Sequence, residues 1–206
     1  MEQIYHQNLW GGGDADYYSG IGSHHSDLVD PYIKVVRSFL KSFDEPLTVC
    51  DLGCGDFNVG SRLIRHAKKV IAADIVEDLI ERNRQLFKTE NLEFQCLDIA
   101  SDKWPDGDCA ILRNVLQHLS NDEILQIVEK LYDLKYVIIT EHLPEREFIP
   151  NKEILSGQGI RLKKGSGVVL TAPPFNFRIR EEKQLLKVPF NEGKGVIVTT
   201  LYEPAR

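Results

Sequence analysis

The sequence feature that most constrains the fold is a glycine-rich turn that follows a short apolar run. The run ends at Cys50, and the turn is Asp51-Leu52-Gly53-Cys54-Gly55-Asp56-Phe57-Asn58-Val59-Gly60. Residues 61–69 are then typical of a helix. A strand, a tight turn and a helix in this order open a βαβ unit, in which nucleotides bind at the carboxyl edge of the sheet. Gly53 and Gly55 permit positive φ and let the backbone approach a ligand closely.

The pattern of this turn distinguishes between two kinds of nucleotide ligand. A dinucleotide fingerprint requires a glycine where this chain has Asn58, so that a pyrophosphate can rest on the helix N-terminus. The carboxylates of Asp51 and Asp56 flank the turn and would repel a pyrophosphate. They suit a ligand with an ammonium group, and S-adenosylmethionine carries both an ammonium and a sulfonium. An ordinary strand-to-helix turn of another α/β protein is the alternative.

The Asp51-Leu52-Gly53-Cys54-Gly55 segment resembles motif I of class I S-adenosylmethionine-dependent methyltransferases. That family often has a glycine where this chain has Phe57. The resemblance implies an α/β fold: a Rossmann-like, doubly wound sheet that is mostly parallel and ends in a C-terminal antiparallel hairpin. It also implies that S-adenosyl-L-methionine is the cofactor. The residues of motif I that the resemblance places at the cofactor are Asp51, Gly53, Cys54 and Gly55.

Acidic residues end the next two predicted strands, at Asp74 and Asp98. Asp74 follows Gly55 by 19 residues, near the separation at which a carboxylate binds ribose hydroxyls. Capping of a helix over 76–87 is the other role open to Asp74. In the resembled family the position of Asp98, with the amide of the next residue, Ile99, approaches the adenine. We also place Ile75 at the cofactor, and for Asp98 a solvent-facing turn is the alternative.

The fourth predicted strand, 108–112, leads into a polar segment and then a helix over 121–131. The segment Arg113-Asn114-Val115-Leu116-Gln117-His118-Leu119-Ser120 resembles the family's motif IV and the region after it, which lines the methyl end of the cofactor. We expect Arg113 and Asn114 to contact the cofactor carboxylate or an anionic substrate. Ser120 and Glu123 have the spacing of a capping box.

Three residues are candidates for catalysis. Methyl transfer needs the acceptor atom, the methyl group and the sulfur in line, and a base if the acceptor is a hydroxyl. His118 and His142 follow predicted strand ends, and histidine titrates near neutral pH. Each could be the base, a structural residue or a cofactor contact. Glu141 could orient His142 or bind a substrate hydroxyl.

A metal-assisted mechanism is the competing one. His24, His25 and Asp27 are close in sequence, but a flexible loop is a poor cage for a divalent ion. We therefore predict no metal site.

Residues 1–30 are predicted to form a flap over the cofactor. Glycine, serine, histidine and aromatic residues without periodicity are typical of a loop, and tyrosine and tryptophan are uncommon in disordered segments. The predicted contacts are Trp10, Tyr18 and Ser19, and a disordered arm is the alternative. The leader partly resembles the W-G-x-G-S-G-x-G-S style segment of small bacterial methyltransferases linked to sugar or capsule modification.

The C-terminal half carries the remaining strand signals. A fifth strand is predicted at 136–140, and two β runs, 185–190 and 195–201, flank a hairpin signal at 191–194. Residues 143–184 are predicted to be a long, substrate-facing loop region with one weak strand at 168–171. Near the N-terminus, Asp30-Pro31 is predicted to begin a helix, because aspartate can cap it and proline is tolerated in the first turn.

Composition limits the partners. A chain of 206 residues with 42% hydrophobic content suits one domain, 1–206, with a proper core. A net charge of −6 gives no general footprint for nucleic acid or an anionic membrane, and neither is expected. The basic clusters, 161–164 and Arg178 with Arg180, are interpreted as solvated loop charges, or otherwise as contacts to an anionic substrate.

Cysteine usage and hydropathy predict the compartment. The four cysteines include no C-x-x-C pair, so neither a zinc site nor a disulfide framework is expected. The N-terminus lacks the pattern of a signal peptide, and no apolar stretch approaches the length of a membrane span. We therefore predict a cytoplasmic location, and the sequence carries no signal for an oligomeric state.

Together these features predict an S-adenosylmethionine-dependent methyltransferase that acts on a small-molecule acceptor. O-methylation of a sugar or a phosphorylated metabolite is the favoured reaction. One alternative is a non-catalytic module that binds S-adenosylmethionine. The other is an NAD-dependent enzyme of similar topology, which Asn58 disfavours.

Overall fold

The computed structural model describes residues 5, 7, 9–11, 17–190 and 195–205. The strands are β1 (Thr48–Leu52), β2 (Lys69–Asp74), β3 (Leu92–Cys96), β4 (Cys109–Arg113), β5 (Tyr136–Leu143), β6 (Ile179–Pro189) and β7 (Val196–Pro204). The α-helices are α1 (Ile21–His24), α2 (Ser26–Leu40), α3 (Glu77–Leu86) and α4 (Asn121–Leu131). Short 3-10 helices lie at Gly60–Arg62, Ile64–His66, Leu116–His118 and Arg161–Lys164.

The strands form one seven-stranded sheet in the order β3-β2-β1-β4-β5-β7-β6. The sheet is mostly parallel and ends in an antiparallel hairpin, so the predicted Rossmann-like α/β class is confirmed. Long-range contacts divide the chain into two compact units, Met1–Cys109 and Ala110–Arg206.

In the first unit, β1, β2 and β3 pair in parallel. Cys50 of β1 lies opposite Ile71 of β2, and Ala72 of β2 lies opposite Phe94 of β3. Nearly every residue of β2 is buried, which is typical of a parallel strand covered on both faces. This pairing brings the ends of β1 and β2 side by side, where the glycine turn and Asp74 begin.

In the second unit, β7 pairs in antiparallel fashion with both β5 and β6. The predicted closing hairpin is therefore confirmed, with longer strands than the sequence indicated. The predicted turn at 191–194 lies outside the described residues. The weak strand expected at 168–171 is absent, and residues 144–178 are loop apart from the Arg161–Lys164 3-10 helix.

The predicted helix at 61–69 is wrong. The chain there makes two 3-10 helices separated by Leu63, whose amide donates to Gly60 O at 2.9 Å, an i→i+3 bond. Lys68 N already donates to Leu47 O at 2.9 Å, so the chain must join the sheet again within a few residues. A 3-10 helix rises further per residue than an α-helix and fits such a short connection.

Helix α2 begins at Ser26 rather than at Asp30-Pro31. Its buried face already includes Leu28 and Val29, and it continues the same stripe to Leu40. Pro31 lies inside the helix and lacks one backbone donor. The extra buried turn offsets that lost bond, since each buried aliphatic side chain contributes roughly 1.5–3 kcal/mol.

Helix α4 begins as predicted. Ser120 accepts a hydrogen bond from the Glu123 amide, and the Glu123 carboxylate accepts one from the Ser120 amide at 2.9 Å, which completes a capping box. Among the described residues, the helices are too short and too polar to cross a membrane.

Candidate functional site

The glycine turn of the first unit is held by hydrogen bonds to β2. The amides of Gly53 and Cys54 both donate to Ala73 O, at 2.8 and 2.9 Å. Gly53 and Gly55 have φ of 77° and 56°, the left-handed region that a glycine enters without strain. Burial raises the pKa of the Cys54 thiol well above its usual value, which keeps the thiol neutral.

Phe57 adopts the conformation that a glycine would permit at this position. Its φ is 60° and its side chain is fully buried. The ring packs edge-on against Phe87 and Phe94, with centroids 5.2 and 4.9 Å away. A left-handed conformation costs an ordinary residue roughly 1–2 kcal/mol, and burial of the phenyl ring offsets that cost. The departure from the family pattern therefore preserves the turn.

The carboxylates of Asp51, Asp56 and Asp74 surround the turn. The Asp56 carboxylate accepts hydrogen bonds from other parts of the chain. Its Oδ2 accepts from Ser19 N at 2.9 Å and from His24 Nε2 at 2.6 Å, and its Oδ1 accepts from Asn58 N at 3.1 Å. The Asp56 amide donates to Ser19 Oγ at 2.8 Å. Asp56 therefore fixes the N-terminal segment. Asp51 is half-buried beside Gly60, where its carboxylate and the Phe57 ring leave no space for a Cβ.

The Ser19 side chain lies directly against Gly55. A Cβ at position 55 would collide with Ser19 Oγ and would lie 3.4 Å from the Tyr5 hydroxyl. The Tyr5 hydroxyl and Ser19 Oγ are themselves 3.2 Å apart. The glycine at position 55 is therefore required by contact with the N-terminal segment as well as by its own φ.

Aromatic residues anchor this N-terminal segment. Buried Tyr5 packs against Val76 and Leu79, with Trp10 and Tyr17 around it. The Trp10 ring meets Tyr5 edge-on at 5.3 Å, and the Tyr18 ring stacks on His24 at 4.4 Å. The described part of the predicted flap is thus ordered against the glycine turn. Residues 12–16 lie outside the described residues.

Asp74 links the turn to the end of β2. One carboxylate oxygen accepts from Gly55 N at 3.0 Å and the other from Val76 N at 3.2 Å. Burial raises the pKa of Asp74, while the amides of Gly55, Val76 and Ile75 lower it. Ile75 is 45% exposed. The N-cap of α3 is Val76, so the predicted capping alternative for Asp74 is wrong.

Asn83 is a site residue that sequence reasoning missed. It is fully buried, and its Nδ2 donates to Gly55 O at 2.7 Å. The signal was available, because Asn83 shares the apolar stripe of α3 with Leu79 and Ile80. A polar residue at a core position of a helix needs a buried partner.

The end of β3 forms a second polar turn. Asp98 is half-buried, and its Oδ1 accepts from Ala100 N at 2.9 Å. Its own amide donates to Asp102 Oδ2 at 2.9 Å. Ile99 is buried, and its carbonyl accepts from Trp104 Nε1 at 2.8 Å.

In the second unit, His118 is held by the long insertion. Its Nδ1 lies 3.1 Å from Gly157 O, and its carbonyl accepts from Gly157 N at 3.0 Å. Burial lowers the pKa of His118, which favours the neutral imidazole. A neutral histidine is the form that can accept a proton.

His142 and Glu141 lie next to each other in β5 and therefore point to opposite faces of the sheet. His142 packs edge-on against Phe190 at 4.7 Å and beside Gly195. The expectation that Glu141 orients His142 is wrong for this reason.

Glu141 is 3% exposed, and neither carboxylate oxygen has a hydrogen-bond partner within 17–190 or 195–205. Burial raises its pKa to about 8, while Arg161 and the nearby amides of Gln117 and Leu116 lower it. The side-chain oxygens of Gln117 and Asn114 are likewise buried acceptors without a donor among the described residues.

Arg161 is 1% exposed, so its interpretation as a solvated loop charge is wrong. Its guanidinium donates to Lys152 O at 3.0 Å, Leu116 O at 3.1 Å and Asn121 Oδ1 at 2.7 Å. Burial lowers the pKa of Arg161, and Glu141 and Glu153 raise it. Arg161 thus ties the insertion to the segment before α4.

Asn151 organises the same insertion from its other end. It has a φ of 57°, and its side chain donates to three carbonyls, those of Val169, Ala172 and Pro173. Its Oδ1 accepts from Val169 N at 2.9 Å. One buried asparagine therefore bonds to the backbone of a segment that forms no strand.

Arg113 and Asn114 lie where β4 ends. Both are half-buried. Asn114 has a φ of 57°, and its amide donates to Thr140 O at 2.8 Å. In the part of the chain that the structure describes, no group of three or more histidine, cysteine, aspartate and glutamate side chains is placed to hold a metal ion.

Comparison with known proteins shows what part of this chain is similar to. Residues 49–135 match the model of the methyltransferase domain family. The matched segment includes the glycine turn, Asp74, Asp98 and α4. The match confirms the predicted S-adenosylmethionine-dependent methyltransferase class of the enzyme. None of the curated protein sequences compared with this chain matches it significantly.

Solved structures similar to this methyltransferase share its fold. The N-methyltransferase NodS from Bradyrhizobium japonicum WM9, in complex with S-adenosyl-L-homocysteine, is 12% identical, with a TM-score of 0.69 over 98% of this chain and 100% of that one. The 1,6-didemethyltoxoflavin-N1-methyltransferase of Burkholderia thailandensis is 14% identical, with a TM-score of 0.64 over 100% and 85%. Magnesium protoporphyrin IX methyltransferase from Synechocystis PCC 6803, with bound S-adenosylhomocysteine, is 17% identical, with a TM-score of 0.61 over 98% and 96%.

Together, the family match and the fold support S-adenosylmethionine as the cofactor. The substrates named for two of these structures, magnesium protoporphyrin IX and 1,6-didemethyltoxoflavin, differ from each other.

Proposed function

We propose that the first unit binds S-adenosyl-L-methionine at the glycine turn. The observation that carries this proposal is the bond between Gly55 N and Asp74, which sets a buried carboxylate beside the turn. The Asp74 carboxylate accepts bonds from the amides of Gly55 and Val76 and is also faced by the amide of Ile75. A carboxylate has about four acceptor positions, so one remains for a ribose hydroxyl. We further propose that Asp51, Gly53 and Cys54 meet the amino-acid end of the cofactor, and that Ile75, Asp98 and Ile99 meet its adenosine.

We propose that the N-terminal segment covers this cofactor. The bonds of Ser19 and His24 to Asp56, and the packing of Trp10 and Tyr18, fix the described part of the segment against the turn. A cofactor bound beside the turn and bordered by this segment is shielded from water, which strengthens its electrostatic contacts. Arg113 and Asn114 are proposed as further cofactor contacts.

For the methyl acceptor, we propose a small molecule. An oxygen of a sugar or phosphorylated metabolite is the acceptor that the leader sequence favours, with His118, His142 or Glu141 as the base. A nitrogen acceptor is the second candidate. Its support is that two of the similar structures are named as N-methyltransferases.

Isothermal titration tests the cofactor proposal. We expect S-adenosylmethionine and S-adenosylhomocysteine to bind the wild type. Asp74→Asn weakens both affinities at least tenfold, because an amide binds two ribose hydroxyls less strongly than a carboxylate does. Glu77→Gln, an exposed acid three residues later, is the matched control and stays within twofold. Absence of binding by the wild type, or binding of NAD instead, contradicts the proposal.

A further inference from the structure

Four basic side chains from two separate elements lie close together at the surface of the first unit. Arg37 is in the last turn of α2, and Lys41 is the C-cap of that helix. Arg65 and His66 belong to the second 3-10 helix after the glycine turn, and Arg65 Nε donates to His66 Nε2 at 3.2 Å. We refer to these four residues as the cationic cluster. Two basic residues in each element are unremarkable in the sequence, and only the fold brings the two pairs together.

An ion pair shows how the two elements of the cationic cluster lie side by side. Arg62, in the first 3-10 helix, donates to the Asp30 carboxylate of α2 at 2.7 Å. Further along the chain, Arg37 follows Asp30 by seven residues and Arg65 follows Arg62 by three. The two elements therefore run in the same direction from a neutralised contact towards a contact between basic groups.

The cationic cluster has no acidic partner in the part of the chain that the structure describes. None of the ion pairs formed there includes any of its four residues. Burial lowers the pKa of His66, and so do the positive charges of the other three residues. The dipole of α2 explains two cations at its C-terminal end, but not the two that approach from the 3-10 helix. Like charges repel, so this arrangement favours the binding of an anion.

The cationic cluster lies at the opposite edge of the sheet from the glycine turn. Lys68, two residues after His66, donates its amide to Leu47 O at 2.9 Å, just before β1 begins. The glycine turn follows the other end of β1. An anion bound at the cationic cluster is therefore separate from the proposed S-adenosylmethionine site.

We propose that the cationic cluster binds a soluble ligand that carries a diphosphate group. Each of its two guanidinium groups can hold two phosphate oxygens, and the lysine and the protonated histidine add positive charge. A single carboxylate would compensate only part of this charge, whereas a diphosphate carries several negative charges. The large hydrophobic side chains that are exposed in the described residues lie outside α2 and both 3-10 helices. The cationic cluster thus lacks the apolar contacts by which a surface helix enters a membrane. This binding site is independent of the proposed methyl transfer.

Isothermal titration with inorganic pyrophosphate at low ionic strength tests this site, because salt screens exposed charges. We expect the wild type to bind pyrophosphate, also in saturating S-adenosylhomocysteine, and Arg65→Gln to weaken the affinity at least tenfold. Arg62→Gln is the matched control and stays within twofold, because this nearby cation is already paired with Asp30. Absence of binding, equal effects of the two substitutions, or displacement of pyrophosphate by S-adenosylhomocysteine overturns the proposal.

The second test follows the imidazole of His66 by NMR, with its signal identified by its loss in His66→Gln. A bound diphosphate favours the protonated imidazole, so we expect saturating pyrophosphate to raise the pKa of His66. His25, at the other end of α2, is the internal control, and its signal does not move. A titration of His66 that pyrophosphate leaves unchanged overturns the proposal.

Phosphatidylglycerol vesicles and single-stranded RNA distinguish a soluble diphosphate from other sources of phosphate. Binding is measured by cosedimentation for the vesicles and by fluorescence anisotropy for the RNA. We expect neither to bind in a way that depends on Arg65. Binding of either one that Arg65→Gln weakens at least tenfold, while Arg62→Gln does not, assigns the cationic cluster to a macromolecular partner and overturns the proposal.

Discussion

The two units treat their buried carboxylates differently. In the first unit, Asp56 and Asp74 are both nearly buried, and every one of their oxygens accepts a bond from the chain. In the second, Glu141 is more deeply buried, and its oxygens have no donor in the described parts of the chain. The bonds of Asp56 and Asp74 hold the glycine turn in place, whereas the Glu141 carboxyl is held mainly by the packing that buries it.

The two units also differ in how a positively charged side chain acts on the buried carboxylate. His24 meets Asp56 at 2.6 Å, a direct contact between opposite charges when the histidine is protonated. Arg161 acts on Glu141 only through its charge, because its donors bind two backbone carbonyls and one side-chain amide. The positive group therefore makes a direct contact with its carboxylate in the first unit and acts on it from a greater distance in the second.

Among the substitutions considered, removal of the Arg161 guanidinium is expected to have the largest effect on the free energy of unfolding. Arg161→Met removes the donor from three acceptors, two of them in buried bonds, and removes the charge near Glu141. We expect a loss of roughly 3–5 kcal/mol in the free energy of unfolding, measured by urea denaturation. Lys163→Met, on the exposed side of the same 3-10 helix, changes it by less than about 0.5 kcal/mol. Equal effects of the two substitutions would show that the buried guanidinium has no special role.

The charge state of Glu141 makes stability depend on pH. Its folded pKa of about 8 lies above the unfolded value of about 4.3, so the native state holds the proton more tightly. The stabilising contribution is complete below the unfolded pKa and is lost as pH rises through the folded pKa. We expect the free energy of unfolding to fall by about 1.4 kcal/mol per pH unit between the two values.

Glu141→Gln should remove this slope, and the comparison is made by urea denaturation at pH 6, 7 and 8. Glu145→Gln should retain it, because its carboxylate is exposed. If wild type and Glu141→Gln have the same dependence on pH, Glu141 does not titrate in this range.

Substitution of two glycines that have nearly the same φ measures the cost of backbone strain separately from the cost of steric contact. Gly55 has a φ of 56° and lies against Ser19, whereas Gly165 has a φ of 58° and no neighbouring atom within 4 Å of the position that a Cβ would occupy. Gly165→Ala therefore costs only the strain, roughly 1–2 kcal/mol. We expect Gly55→Ala to cost about 1 kcal/mol more, within the usual range for overpacking, and to weaken binding of S-adenosylmethionine.

A double-mutant cycle isolates the steric part. Ser19→Gly should reduce the cost of Gly55→Ala to that of Gly165→Ala, measured as the free energy of unfolding. If the cost of Gly55→Ala is the same in both backgrounds, the N-terminal segment does not rest on the turn.

The capping box of α4 is expected to give the smallest effect. Ser120→Ala removes the side-chain acceptor for the Glu123 amide, which costs about 1 kcal/mol for a typical cap. Ser101→Ala, in an exposed turn of the first unit, is the control. Thermal unfolding of the two variants distinguishes them, and a shift no larger than that of the control would contradict the role of the cap.

Much of the fold follows from local sequence. The strand runs, the capping box of Ser120 and Glu123, and the closing hairpin depend on residues that are close together in the chain. The glycine turn and the acid at the end of β2 have a fixed spacing, which is why the enzyme class could be predicted. Errors arose where distant contacts decided the outcome, as in the 3-10 helices after β1 and the early start of α2.

The features of the candidate site also divide into those that local sequence predicts and those that depend on the fold. The sequence by itself determined the order of the motifs, because strand, turn and acidic end are local patterns of hydrophobicity and backbone freedom. Only the tertiary structure decided that Phe57 adopts a left-handed conformation, with burial offsetting the strain, and that Asn83 binds the Gly55 carbonyl. Only the fold, likewise, buries Arg161 and leaves Glu141 without a donor among the described residues. Burial and hydrogen-bond partners depend on residues distant in sequence, and no local pattern specifies them.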